Sequence, residues 1–196
     1  MTRRILNSAH TNLLLVAALS FAIAAPAFAT VSHYRAILNG ASEAPPNASP
    51  GVGVAEVTID DVAHTMQIQA SFSGLLGTTS ACHIHAPTAV ALTGTAGVAT
   101  TTPSFVGFPL GVMTGLFNNT LDLTLASSYN PAYITANGGT TATAEAALLA
   151  AIVAGRSYFN VHSTSFPGGE IRGFLQQFDP TPASRSTWSR VKSLYR

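Results

Sequence analysis

The clearest alternation of apolar and polar positions runs over residues 65–72, where Met66, Ile68, Ala70 and Phe72 interleave with Thr65, Gln67, Gln69 and Ser71. A period of two places the first set on one face of a strand, against a core, and the second on the other, towards water. Weaker forms of the pattern predict strands over residues 33–38, 52–59, 81–85, 121–125, 157–162 and 171–178. Seven or eight short strands separated by turn-forming residues predict an all-β fold, a Greek-key β-sandwich or barrel. One segment departs from the pattern. Residues 143–154 carry Ala146, Leu148, Leu149, Ile152 and Val153 at helical spacing, with Glu145 near the start and Gly155 just past the end. That predicts one short helix, packed across a barrel end. Residues 41–50, 87–111 and 130–141 read as long loops, the usual carriers of function on a β scaffold.

The two ends differ from the middle. Residues 1–29 have the three parts of a secretory signal peptide: Arg3 and Arg4, an apolar run over 13–25, and Ala27 and Ala29 as a small-x-small cleavage site. The run is shorter than the roughly 18 to 20 residues a membrane span requires. The expectation is a secreted or periplasmic protein with no transmembrane segment after processing, and a folded domain over 30–179. Residues 180–196 hold Arg185, Arg190, Lys192 and Arg196 among prolines and serines. They read as a disordered basic tail, capable at most of weak association with an anionic surface.

Charge narrows the partners. The chain has nine Lys and Arg against eight Asp and Glu, and only 9% charged residues. Without a basic stripe to follow phosphates, nucleic acid is excluded as a partner. The single cysteine, Cys82, rules out an intramolecular disulfide. On a strand it shares a face with Ile84, so it reads as a buried thiol.

The candidate chemistry lies in histidines. His83-Ile84-His85 places two imidazoles on one face of a strand, with Ile84 anchoring the other in the core. In Tyr158-Phe159-Asn160-Val161-His162, Phe159 and Val161 face the core and His162 points away from it. If the two strands are neighbours, His83, His85 and His162 form a three-imidazole site suited to copper, with zinc second. The structural alternative has these rings hydrogen-bonding backbone carbonyls of the long loops. His33 and His64 are candidates for a fourth ligand, but each sits among ordinary strand residues and reads first as a surface histidine. Glu170 and Arg172 alternate on the last strand, either as a cross-strand ion pair or with Arg172 as a guide for a small anion. Asn47-Ala48-Ser49 and Asn118-Asn119-Thr120 are formal glycosylation sequons, relevant only in a eukaryotic secretory pathway. No phosphate loop, dinucleotide fingerprint or Gly-x-Ser-x-Gly sequence occurs.

Several segments in order resemble the CHRD domain, named for chordin and common in exported bacterial proteins. They are Tyr34-Arg35-Ala36-Ile37-Leu38-Asn39-Gly40 with Glu43-Ala44-Pro45-Pro46, then His83-Ile84-His85, then Tyr158-Phe159-Asn160-Val161-His162-Ser163, and Pro167-Gly168-Gly169-Glu170-Ile171-Arg172-Gly173-Phe174-Leu175. The resemblance implies an immunoglobulin-like or superoxide-dismutase-like sandwich and no established catalysis. The histidines are also similar to the copper side of copper-zinc superoxide dismutase, although residues 87–111 contain no His, Asp or Glu to match a zinc loop. The leading expectation is a non-catalytic extracellular or periplasmic binding module for an unidentified ligand or protein. A copper-binding protein using His83, His85 and His162 and a structural cell-surface protein are the alternatives.

Overall fold

The computed structural model describes residues 31–180. Strands β1 (Val31–Asn39), β2 (Val52–Asp60) and β3 (Thr65–Ser73) form an antiparallel meander in unbroken register. Its inward rows alternate large and small: Tyr34, Val57 and Ile68 lie abreast, then Ala36, Ala55 and Ala70, then Leu38, Gly53 and Phe72. Alternating bulk lets the sheet curl while the larger side chains fill the concave side.

After β3 the chain crosses to the opposite edge as β4 (Thr79–His85) and returns to pair β5 (Gly115–Asp122) with β3. Strand β6 (Tyr158–Ser163) lies beside β4, β7 (Ile171–Phe174) joins β6 to β1, and the two-residue β8 (Gln176–Gln177) also pairs with β1. The sheet order is β4-β6-β7-β1-β2-β3-β5, all antiparallel, curled into a half-barrel. The all-β Greek-key expectation holds.

Between the two edge strands the long connection after β4 closes the structure. Ala99 N donates to Ile84 O at 2.9 Å and Phe105 N to Cys82 O at 3.0 Å. Thr100 Oγ1 and Ser104 Oγ accept from Ile84 N and Cys82 N. The β4 edge is thereby satisfied from within the chain, which removes a template for pairing with other chains. Phe105 then stacks on Phe117 of β5 at 5.7 Å and on Phe159 of β6 at 5.9 Å, tying the ends of the sheet together through the core. Cys82 is fully buried beside Ile84, and burial pushes its thiol pKa up.

Two α-helices occur among the described residues, α1 (Pro131–Ala136) and α2 (Thr141–Val153). The second matches the expected helix. Thr140 and Thr143 cap it reciprocally, Gly155 follows with φ +65°, and Leu148 and Ile152 enter the core. Helix α1 falls inside residues read as a loop. Asn130 caps it by accepting from Ala132 N and Pro131 takes the first turn, a start signal followed by too few residues to show a period.

Two strand limits also differ from expectation. The strand expected over 121–125 begins six residues earlier, because pairing with β3 recruits Leu116, Asn118 and Asn119 despite the poor strand propensity of asparagine. The strand expected over 171–178 divides at Leu175, whose N donates to Ser157 O at 3.0 Å and whose side chain is fully buried. The expected signal peptide and nearly all of the basic tail lie outside the described residues. Among those described, no helix is long and apolar enough to cross a membrane.

Candidate metal centre

Pairing of β4 with β6 sets His83 opposite Asn160, His85 opposite Tyr158 and Ala81 opposite His162. His83 and His162 are therefore diagonal neighbours on one face, with His85 two residues along. Ring centroids are 4.7 Å apart for His83 and His85, 4.7 Å for His83 and His162, and 5.9 Å for His85 and His162. One ligand nitrogen from each ring lies within 4.8 Å of the others. Among the described residues this is the group of His, Cys, Asp and Glu able to hold a metal ion.

The face is not wet. All six residues of β6 are buried; Phe159 and Val161 lie in the core, while Tyr158, Asn160 and His162 are covered by loops folded over the other side. His83, His85 and His162 are 6%, 9% and 8% exposed, so their nitrogens must find partners within the protein or a bound ion. Two rings use one nitrogen to hold loops. His85 Nδ1 donates to Ala96 O at 2.8 Å and His162 Nδ1 to Pro167 O at 2.9 Å. A carbonyl only accepts, so both rings are the Nδ1–H tautomer and each turns a lone pair outward on Nε2. His85 Nε2, His162 Nε2 and His83 Nδ1 are buried with no hydrogen-bond partner among the described residues. The loop-supporting role and a ligand role thus fall on different nitrogens of the same rings. A metal-ligating histidine generally donates its remote N–H in this way.

Electrostatics keep the rings neutral. Burial lowers His83 to about 3, helped by His85 and His162. Burial lowers His85 to about 4 against the raising effect of the Ala96 hydrogen bond, with His162 and Arg172 adding to the fall. His162 is lowered by burial too, opposed by its bond to Pro167. Neutral imidazole is the form that ligates a metal.

Around the triad lies a second set of buried polar residues. Tyr158 stacks parallel to His85, rings 5° from coplanar and 4.7 Å apart. Arg172, 4% exposed, places its guanidinium carbon 4.7 Å from the Tyr158 ring centre. Its Nε donates to Ser42 O, its Nη1 donates to Gly94 O at 3.1 Å, and its carboxylate partner is Glu43 at 3.7 Å. Glu170, fully buried, accepts instead from Ser49 Oγ, Leu76 N and Gly77 N. The two residues read together from their alternation have separate partners, because Glu170 and Arg172 meet different loops. His33 and His64 stand apart, His33 against Thr58 Oγ1 at 3.0 Å and His64 against Glu145 at 2.9 Å. Ala27 and Ala29 lie outside the described residues. An apolar groove of ≈ 720 Å³ opens elsewhere on the sheet, along β1, β2, β3 and β5, lined by Ile37, Val52, Val54 and Leu116 without a titratable group, and it offers none of this chemistry.

The sequence profile of the CHRD domain matches residues 34–175, which takes in most of β1, all of β2 through β7 and all three histidines. The chain belongs to the CHRD domain family. Comparison with curated proteins and with solved structures returns no match. Within the CHRD domain, residue patterning alone missed Tyr158 as a ring partner, Asn160 as the residue opposite His83, and Glu43 as the neighbour of Arg172. The signal for Glu43 was the Glu43-Ala44-Pro45-Pro46 segment, which aligns with the family but carries no periodicity to say where it points.

Proposed function

We propose that this CHRD domain is a non-catalytic binding module of an exported protein, and that its ligand is a transition-metal ion, copper before zinc, held by His83, His85 and His162. The observation that carries the reading is that three rings with ligand nitrogens within 4.8 Å of one another each keep a buried nitrogen, His83 Nδ1, His85 Nε2 and His162 Nε2, with no hydrogen-bond partner among the described residues, while the remaining nitrogens of His85 and His162 are fixed by loop carbonyls. Burying three polar nitrogens without compensation costs about 1–3 kcal/mol each, and a cation shared by three lone pairs compensates all three at once. An all-nitrogen set suits copper or zinc and discriminates against magnesium and calcium, which take oxygen ligands. The leader-like start of the chain and the family's frequency in exported proteins support a site outside the cytoplasm.

The test is calorimetric titration of the domain with copper and zinc beside a His83→Ala, His85→Ala double variant. One ion per chain at micromolar affinity or tighter, absent in the variant, is the expected outcome. Heat equal to the variant's background with zinc and with copper in both its monovalent and divalent states leaves the histidines as loop supports and removes the metal reading.

A further inference from the structure

We infer that the three-imidazole site is built for monovalent copper and disfavours divalent ions. The inference rests on reading the triad as a metal site and adds the charge state of the ion. Its first ground is the ligand set. His83, His85 and His162 are neutral donors, and no carboxylate or thiolate belongs to their group among the described residues. Glu170 and Glu43 stand outside that group. Glu170 is taken up by Ser49, Leu76 and Gly77, and Glu43 lies against Arg172. The ion would therefore keep its full charge. Three ligands complete a coordination shell for monovalent copper, whereas zinc takes at least four and divalent copper a tetragonal set. With each ring under a tenth exposed, little of the missing shell can come from bulk water.

The second ground is a fixed positive charge. Arg172 is locked by Ser42 and Gly94 carbonyls, and its guanidinium carbon and the His85 ring both lie 4.7 Å from the centre of the Tyr158 ring. By those two distances the guanidinium carbon is at most about 9.4 Å from the centre of the His85 ring. At an effective dielectric constant of about 20, one further unit of charge on an ion just beyond that ring costs roughly tenfold in affinity. Glu43 is the counter-charge. Burial raises its carboxyl to about 7, so near neutrality it cancels only part of the guanidinium. Arg172 is thus a positioning residue for Tyr158 and a selector of ionic charge, and it contacts no ion.

The experiment is a set of competition titrations on the folded domain: monovalent copper against bicinchoninate under anaerobic reducing conditions, and divalent copper and zinc against nitrilotriacetate. Wild-type protein is expected to hold monovalent copper at least tenfold more tightly than either divalent ion. Arg172→Gln should narrow that ratio about tenfold, Arg172→Lys should leave most of it, and Glu43→Gln should widen it. A purely structural role for Arg172 would weaken all three ions alike. Divalent copper bound as tightly as monovalent, with both lost in the double histidine variant, overturns the charge-state inference and leaves the metal reading standing. No binding of any ion overturns both. A ratio that neither Arg172→Gln nor Glu43→Gln changes overturns the electrostatic account.

Discussion

Replacing Glu170 with glutamine tests whether the loops above the sheet are held by one buried carboxylate. Glu170 has no exposed surface, and its Oε1 accepts from Ser49 Oγ at 2.6 Å and Leu76 N at 2.5 Å while Oε2 accepts from Gly77 N at 3.3 Å. One side chain thereby joins the connection between β1 and β2 to the one between β3 and β4. Burial alone would raise its pKa, yet bonds from Ser163, Ser49, Leu76 and Gly77 together overcome burial and hold it below the usual carboxylate range. The folded pKa is depressed, so the stabilisation is present above the unfolded value and is lost as pH falls through the folded one. Glutamine keeps the shape and one acceptor but turns an NH2 towards backbone donors. Hydrogen bonds to a charged group contribute roughly 1.5–3 kcal/mol each, and at least one is lost with a buried donor left unpaired, so Glu170→Gln should cost about 3 kcal/mol near pH 7. For a domain of this size that lowers Tm by roughly 6–12 °C. Urea unfolding followed by circular dichroism measures it. A loss under about 1 kcal/mol near pH 7, or a gap from wild type that does not shrink in acid, would refute the staple.

Other outcomes follow from the same structure. The histidine triad makes the fold acid-labile: with folded pKa values of about 3 for His83 and about 4 for His85 against the ordinary 6.5, the unfolded chain binds more protons between those limits. Stability should therefore fall as pH drops below about 6.5, with His83→Gln flattening that part of the unfolding-versus-pH curve and an unchanged slope counting against it. Gly169 has φ +131°, and a Cβ there would meet Glu43 Oε1 at 2.7 Å and Asn160 Nδ2 at 2.7 Å. Gly169→Ala should cost about 2–3 kcal/mol in chemical denaturation, and wild-type stability would show that the crowding is relieved freely. Phe159, fully buried and stacked on Phe105, should lose about 3–5 kcal/mol on replacement by alanine and loosen the long connection after β4, visible as faster amide exchange at Phe105 and Ala99. Slowed or unchanged exchange there would mean that backbone bonds to β4 hold the segment alone.

What one strand or one helix can express by itself was legible in the sequence. The period of two over β3, the alternation in Phe159 and Val161 against His162, and the helical spacing of Leu148 and Ile152 are local consequences of side-chain direction along a backbone. So is the shared face of His83 and His85. Ordered segments such as Tyr158-Phe159-Asn160-Val161-His162 and Gly168-Gly169-Glu170-Ile171-Arg172 were enough to indicate the family. Element ends escaped where pairing overrode propensity, as at the start of β5, or where a helix was too short to show a period, as in α1.

Tertiary structure decided which elements became neighbours, and with them the chemistry. His162 meets His83 only because β4 crosses the sheet to pair with β6, a contact between residues some eighty positions apart that no local pattern encodes. Burial of the triad depends on loops whose Gly-, Thr- and Pro-rich sequence gives no direction of folding. Those loops supply the Ala96 and Pro167 carbonyls that choose which nitrogen of His85 and His162 carries the proton. Arg172 likewise acquires Glu43 rather than Glu170 because charges pair with whatever the fold brings within reach, and reach is set by packing rather than by spacing along the chain.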